Sequence, residues 1–147
     1  MIKKIFNKLF GKKEAISFKQ GFDLTDMPVI TLYQGEKKFN FLLDTGSNNS
    51  AISKHVIDQF EHTPIKEKTT TVFGIEGKIS SAPISKVTLS YKDKSYTYDY
   101  IINDLEAAFN QIKVETGVTL HGIIGSRFFN QYRYVLDFAE LIAYSKA

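Results

Sequence analysis

One carboxylate in this sequence stands where an apolar strand meets a tight loop. Asp44 directly follows the apolar residues 41–43, and Thr45, Gly46 and Ser47 come after it. A strand would fix the backbone of this acid, and the glycine would let the loop turn sharply, as a reactive carboxylate in a cleft requires. The same residue types also hydrogen-bond to local backbone, so the motif alone is typical of a structural turn as well.

Two other glycine-containing segments strengthen the case for chemistry. Residues 71–79 are predicted to form an exposed hairpin with Gly74 and Gly77 near its tip, which would suit a lid over a cleft. Residues 122–125 hold an apolar pair between two glycines and run into a predicted short helix. Gly125 would allow close approach of the backbone that this strand supports.

In this order the three segments resemble one lobe of an aspartic protease. The chain is similar to the retropepsin-like family, which comprises the retroviral proteases and their single-lobed relatives, and the resemblance runs from about Phe18 to Tyr144. It implies that Asp44 is the catalytic aspartate. It also implies that Thr45 links the two active-site loops through its hydroxyl and that Gly46 contacts the substrate through its backbone.

The resemblance assigns the other site residues to three supporting roles. Ser47 occupies a position where retroviral members usually have alanine, and its hydroxyl is expected to hydrogen-bond to the carboxylate and lower the pKa of the catalytic pair. The flap that covers the substrate would consist of Phe73, Gly74, Ile75, Glu76 and Gly77. The residues expected to support the active-site loop are Ile123, Ile124 and Gly125.

The family pattern is not matched everywhere. Asn48 and Asn49 stand where retroviral enzymes often carry acids, and Ser126 and Arg127 depart from the sequence expected after Gly125 in bacterial relatives. These departures leave the predicted fold unchanged. They bear on the contacts that the site makes with substrate.

A single catalytic aspartate per chain predicts a two-fold homodimer. In aspartic proteases an ionised carboxylate takes a proton from the attacking water while a protonated one polarises the scissile carbonyl. Of the eight aspartates here, only Asp44 precedes a Thr-Gly pair; Asp137 lies in an apolar strand without one. The second carboxylate is therefore expected from a second copy of Asp44. The cleft would bind a peptide or protein substrate as an extended strand.

The rest of the chain predicts a mainly β domain, a closed barrel-like lobe with one or two short helices. Short apolar runs alternate with turn residues from Ser17 onward. The helices are predicted over Leu105–Val114, with Asp104 capping the start and Gly117 following the end, and over Ser126–Tyr132.

The composition indicates one globular domain with unevenly distributed charge. The 147 residues can bury a sizeable core, and the absence of cysteine excludes thiolate catalysis, disulfide bonds and Cys-ligated metal sites. Residues 1–13 carry five lysines and no acid, so the other 14 basic and 16 acidic residues leave the body at −2. This body gives no support for nucleic-acid binding.

Residues 1–16 form a predicted leader, and residues 17–147 form the predicted protease domain. Within residues 2–13 the apolar side chains recur at the spacing of one helix face, with lysines between them. Three roles stay open for this segment: a solvated extension, peripheral contact with an anionic membrane surface, or a cover over an acidic active site. Because no secretory signal is recognised, the expected location is the cytoplasm.

Other enzyme classes have little support in the sequence. The histidines His55, His62 and His121 lack metal-binding spacing and are expected to be ordinary surface or loop residues, so no metal or cofactor is predicted. No serine has the Gly-x-Ser-x-Gly context of a hydrolase nucleophile. The prediction is an aspartic endopeptidase, and the alternative is a catalytically silent module of the same fold that binds peptides or dimerises.

Overall fold

The computed structural model describes residues 15–73 and 79–147, and it describes side chains outside residues 67–80. The helices of this part are α1 Phe18–Thr25, a 3-10 turn Ile57–Gln59, α2 Glu106–Thr116 and α3 Ser126–Gln131. The strands are β1 Val29–Gln34, β2 Lys37–Asp44, β3 Ala51–Ser53, β4 Thr63–Phe73, β5 Ile79–Tyr91, β6 Lys94–Asn103, β7 Gly122–Gly125, β8 Tyr134–Asp137 and β9 Ile142–Ser145. None of the described helices is long and apolar enough to cross a membrane.

Six strands form a closed barrel, which confirms the predicted mainly β lobe. Their order is β1-β2-β7-β3-β6-β5, and a single pair, Tyr33 with Ser90, joins β5 back to β1. β4 extends the sheet beyond β5, while β8 and β9 form a separate hairpin. β7 is the strand that matters for the site, because it lies between β2 and β3.

The sequence prediction missed α1. Ser17 caps this helix with a reciprocal pair of hydrogen bonds: the Gln20 N–H donates to Ser17 Oγ at 3.2 Å, and the Ser17 N–H donates to Gln20 Oε1 at 3.0 Å. Its buried residues Phe18, Gly21 and Thr25 lie on one face of the helix, but the helix is only eight residues long and contains Gly21, so the sequence alone favours it little. That glycine is needed because a methyl group on it would lie 2.1 Å from the Val29 carbonyl oxygen.

The two predicted helices are confirmed with small shifts in their ends. α2 begins at Glu106, whose N–H donates to Asp104 Oδ1 at 3.0 Å, and it ends at Gly117 with a φ of 78°. The backbone hydrogen bond from Glu106 is the main cause that lowers the pKa of Asp104, and His55 adds to it. α3 ends at Gln131, one residue before the predicted end.

Apolar side chains fill both faces of the sheet. The barrel interior holds the larger cluster, to which β2 contributes alternate residues, Phe39, Phe41 and Leu43. A smaller cluster lies against α2 on the outside and includes Val29 and Phe109. Ile16 belongs to this outer cluster, and its N–H donates to Thr31 Oγ1 at 2.6 Å.

Candidate active site

Asp44 is the last residue of β2 and is half-buried. Its carboxylate accepts a hydrogen bond from the Gly46 N–H, with 3.0 Å between Asp44 Oδ1 and the nitrogen. The Ser47 N–H donates to the Asp44 carbonyl oxygen at 3.2 Å. The loop backbone therefore orients the carboxylate and leaves its other oxygen available for chemistry.

The loop from residue 45 to residue 50 passes over the end of β7. β2 runs parallel to β7, with Asp44 opposite Gly125, whereas β3 runs antiparallel to it, with Ala51 opposite Ile123. The chain thus leaves one side of β7 at Asp44 and returns on its other side at Ala51. This crossing places the carboxylate at the rim of the barrel instead of inside it.

Gly125 permits the loop to lie directly on the strand. A methyl group at this position would come within 2.4 Å of the Asn49 carbonyl oxygen and 2.7 Å of that of Ser47. The Gly125 N–H donates to Ser50 Oγ at 2.9 Å, and Ser50 is 2% exposed. The predicted close approach at Gly125 is confirmed by these distances.

The first residues of α3 hold the same loop from its other side. The Ser126 N–H donates to the Ser47 carbonyl oxygen at 2.7 Å, and the Arg127 N–H donates to that of Asn48 at 3.3 Å. The Arg127 guanidinium adds a hydrogen bond of 3.1 Å to Asn49 Oδ1. Amides at a helix start lack partners within the helix, so here the loop carbonyls satisfy them.

The Ser47 hydroxyl does not form the expected hydrogen bond to the Asp44 carboxylate. The Ser47 O–H group donates instead to the Asn49 carbonyl oxygen, with 2.8 Å between the two oxygens. A hydroxyl has one proton to donate, so this contact uses it within the loop. Ser47 supports the loop geometry, and the pKa effect expected from it has no basis in this structure.

The remaining predicted residues divide between three places. Thr45 and Gly46 are exposed at the rim of the barrel. Ile124 is buried in the barrel interior, whereas Ile123 is half-buried and turns to the outer cluster beside α2. Adjacent residues of a strand face opposite sides, so only Ile124 packs inside the barrel below the loop.

The predicted flap is described only at its base. Phe73 and Ile79 are opposite each other at the ends of β4 and β5, which confirms that the two strands pair as a hairpin. The predicted tip, with Gly74, Ile75, Glu76 and Gly77, lies outside the described residues, as does residue range 1–14 of the predicted leader.

His121 lies in the loop before β7, as predicted, but it is buried there and does not lie at the surface. It is 2% exposed, and its Nδ1 accepts a hydrogen bond of 2.9 Å from the Asn40 N–H. His55 is exposed, as predicted, and its Nε2 lies 3.2 Å from Asp104 and 3.1 Å from Glu106. Lys54 also approaches Asp104, so these contacts form a surface group of ion pairs at the start of α2.

Two residues that sequence reasoning left without a role are part of the site. Ser50 closes the loop by accepting from Gly125, and Arg127 fixes Asn49. Their partners lie 75 and 78 residues away along the chain. The available signal for Ser50 was a small hydroxyl residue directly before an apolar strand.

Comparisons with known proteins agree with this geometry. The family model described as "Aspartyl protease" matches residues 30–128, which include the Asp44 loop and β7. The retroviral protease-like domain of Ddi1 from Leishmania major superposes with a TM-score of 0.55 at 10% identity, covering 82% of this chain and 88% of that one. No curated protein shows significant sequence similarity. With a strand-end aspartate in a six-stranded barrel and a family match over most of its length, this chain belongs to the retropepsin-like aspartyl protease family.

Proposed function

We propose that the protein is an aspartic endopeptidase whose active centre is formed by Asp44 from two copies of the chain. The observation that carries this proposal is the placement of Asp44: a half-buried carboxylate at the rim of the barrel, oriented by the Gly46 N–H. Of the two Asp44 carboxylate oxygens, only Oδ1 has a hydrogen-bond partner among the described residues, and the neighbouring Thr45 and Gly46 are exposed, so the second carboxylate oxygen would be available to a ligand.

The chemistry needs a second carboxylate that one chain does not supply at this loop. Asp137, the other aspartate in an apolar strand, accepts hydrogen bonds from the N–H groups of Ala139 and Glu140, each at 2.9 Å. It stabilises the turn between β8 and β9. A two-fold axis beside the exposed Thr45 and Gly46 would bring two Asp44 carboxylates together.

In such a pair one proton is shared. Two carboxylates about 3 Å apart cannot both ionise readily, so one stays protonated. The ionised Asp44 takes a proton from water as its oxygen attacks the peptide carbonyl, and the protonated Asp44 donates a hydrogen bond to the carbonyl oxygen. The resulting tetrahedral species collapses when the Asp44 that took the proton from water passes it to the amine nitrogen and the C–N bond breaks, which returns the pair to one shared proton.

The test compares peptide cleavage by the wild-type chain, Asp44→Asn and Asp93→Asn. A diverse peptide library is incubated with each at several pH values, and products are identified by mass spectrometry. Asp44→Asn should lower the rate by about 10²- to 10⁴-fold because it removes the acid–base group. Asp93 is exposed in a turn with a φ of 63°, which asparagine tolerates, so its variant should cleave normally.

Three results would contradict parts of this proposal. Cleavage that survives in Asp44→Asn would remove Asp44 from the mechanism. A protein that sediments as a monomer under conditions in which it cleaves peptides would exclude an active centre made of two Asp44 residues. Peptide binding without cleavage at any pH would favour a silent peptide-binding module.

A further inference from the structure

A groove of about 490 Å³ lies beside the active-site loop, against the middle of β5 and β6. Asn49 and Ser50 form its edge on the side of Asp44, and Ile84 and Ile101 contribute apolar surface. Arg127 and its neighbours on the two strands complete the lining. We call it the Arg127 groove. It continues from the same loop that holds the carboxylate.

The charges of the Arg127 groove do not cancel. Lys86 Nζ lies 3.2 Å from Asp99 Oδ1, so these two lining residues compensate each other. Arg127 is exposed, and its guanidinium has one polar partner among the described residues, the neutral side chain of Asn49 at 3.1 Å. A guanidinium has five N–H donors, so most of its donors stay available. The described lining therefore carries one uncompensated positive charge.

We propose that the Arg127 groove binds an acidic side chain of the peptide substrate, and this inference rests on the proposed endopeptidase function. The planar guanidinium matches a carboxylate in shape and charge. Its orientation is already fixed by Asn49, so less side-chain entropy is lost when a carboxylate binds. Arg127 is thereby a specificity-determining residue and takes no part in proton transfer.

The position of the groove sets which substrate residue it reads. Gly125 pairs with Asp44 in parallel register, and Arg127 follows two residues later. Residues of an extended peptide advance about 3.3 Å each, so the acidic residue lies within a few positions of the scissile bond. A two-fold dimer contains the groove twice, and the acid would be accepted on either side of that bond.

The experiment uses pairs of fluorescent decapeptides that differ only in Glu against Gln at one position, scanned over four positions on each side of an apolar pair. Their affinity is measured by fluorescence polarisation with the full chain carrying Asp44→Asn, and their cleavage is measured with the wild-type residue at 44. At one or more positions Glu should bind about 3- to 10-fold more tightly than Gln. The difference should appear in KM and leave kcat unchanged.

Three substitutions separate charge recognition from loop geometry. Arg127→Gln should remove the Glu-to-Gln preference, and Arg127→Glu should reverse it. Arg133→Gln removes the other arginine of the chain, which lies beyond α3, and should keep the preference. Asn49→Ala removes the partner that orients Arg127 but keeps its charge, so the Glu-to-Gln preference should become smaller without disappearing, and complete loss of the preference would contradict recognition by charge.

The outcomes distinguish this inference from the proposed function. Equal binding of Glu and Gln peptides at every position, or no binding of the Glu peptides, would overturn the groove proposal. A preference that survives Arg127→Gln would overturn it as well. Cleavage of Glu and Gln peptides at equal rates would support the endopeptidase function and contradict acid binding in the groove. Tighter binding of Glu peptides without any cleavage would support acid binding in the groove and contradict the endopeptidase function.

Discussion

Two regions joined by α3 are stabilised in different ways. At its start, Ser126 and Arg127 hold the Asp44 loop through backbone amides and one guanidinium. One residue later, Phe128 enters a group of aromatic side chains that we call the ring cluster: Tyr96, Tyr98, Phe128, Phe129, Tyr132 and Tyr134. Directional hydrogen bonds between small residues fix the loop, whereas bulky apolar contacts fix the cluster. The loop should therefore be sensitive to added atoms and the cluster to removed ones.

Removal of a ring from the cluster should give the largest loss of stability. Phe128 is 3% exposed, and its ring centroid lies 4.8 to 5.8 Å from those of four tyrosines. Phe128→Ala should lower the free energy of unfolding by about 3–5 kcal/mol, measured by urea denaturation. Phe138→Ala is the matched control: its ring contacts those of Phe18 and Phe22, but the residue is 57% exposed, so its removal should lower the free energy of unfolding by less. Equal losses would contradict the ring cluster's role.

Addition of one methyl group should damage the loop. Gly125→Ala places a carbon against two loop carbonyl oxygens and should cost about 1–3 kcal/mol of unfolding free energy, together with most cleavage activity. At Gly46 only Asp44 Oδ1 lies near an added methyl, at 3.2 Å, so Gly46→Ala should cost less stability. Wild-type stability and activity in Gly125→Ala would show that the loop can adapt to an added methyl group, and the predicted difference between the loop and the ring cluster would then be wrong.

A buried hydroxyl tests the same difference between polar and apolar regions, because a polar atom without a hydrogen-bond partner lowers the stability of an apolar core. Tyr100 is fully buried, and its hydroxyl has no hydrogen-bond partner among the described residues. Tyr100→Phe should raise the free energy of unfolding by about 1 kcal/mol. Tyr134→Phe is the control: its hydroxyl donates to that of Tyr96 at 3.2 Å, so this loss should destabilise. If both variants were destabilised to the same extent, the Tyr100 hydroxyl would have a hydrogen-bond partner and this prediction would be wrong.

The same tyrosine gives a pH dependence with a definite sign. Burial raises the pKa of Tyr100 above its usual value of 10.0. The folded state therefore resists ionisation, and stability that is complete below pH 10 falls as the pH rises above it. In Tyr100→Phe this alkaline loss should be smaller, as urea titrations between pH 9 and about 11 would show. An identical pH profile would contradict it.

Sequence reasoning located the candidate carboxylate more readily than the residues that support its loop. Asp44 and Gly125 were recognised because a turn motif and a close backbone approach leave local signals. Ser50 and Arg127 act on partners more than 70 residues away, and no local pattern encodes such contacts. The direction of the Ser47 hydroxyl was mistaken for a related reason: two acceptors lie near it, and only the folded loop decides between them.

The errors in the fold have the same origin. α1 is short, so its capping residues and its packing on β1 decide its conformation more than its periodicity does. His121 does lie in the loop directly before β7, as predicted, but a loop position does not show whether a side chain is exposed. Its ring is nevertheless buried, since its Nδ1 accepts from the Asn40 amide on β2.

The single residue pair that closes the barrel gives the molecule an uneven resistance to deformation. β5 and β6 are paired over eight positions, whereas the ladder between β1 and β5 has one paired position, Tyr33 with Ser90. Across that seam Gln34 reaches the Thr88 carbonyl oxygen with its side-chain amide. Separation at the seam would break few backbone hydrogen bonds, so the resistance to opening there has to come from the buried side chains of the two strands, such as Leu32 and Leu89. The ladder between β2 and β7, which holds Asp44, does not include this seam.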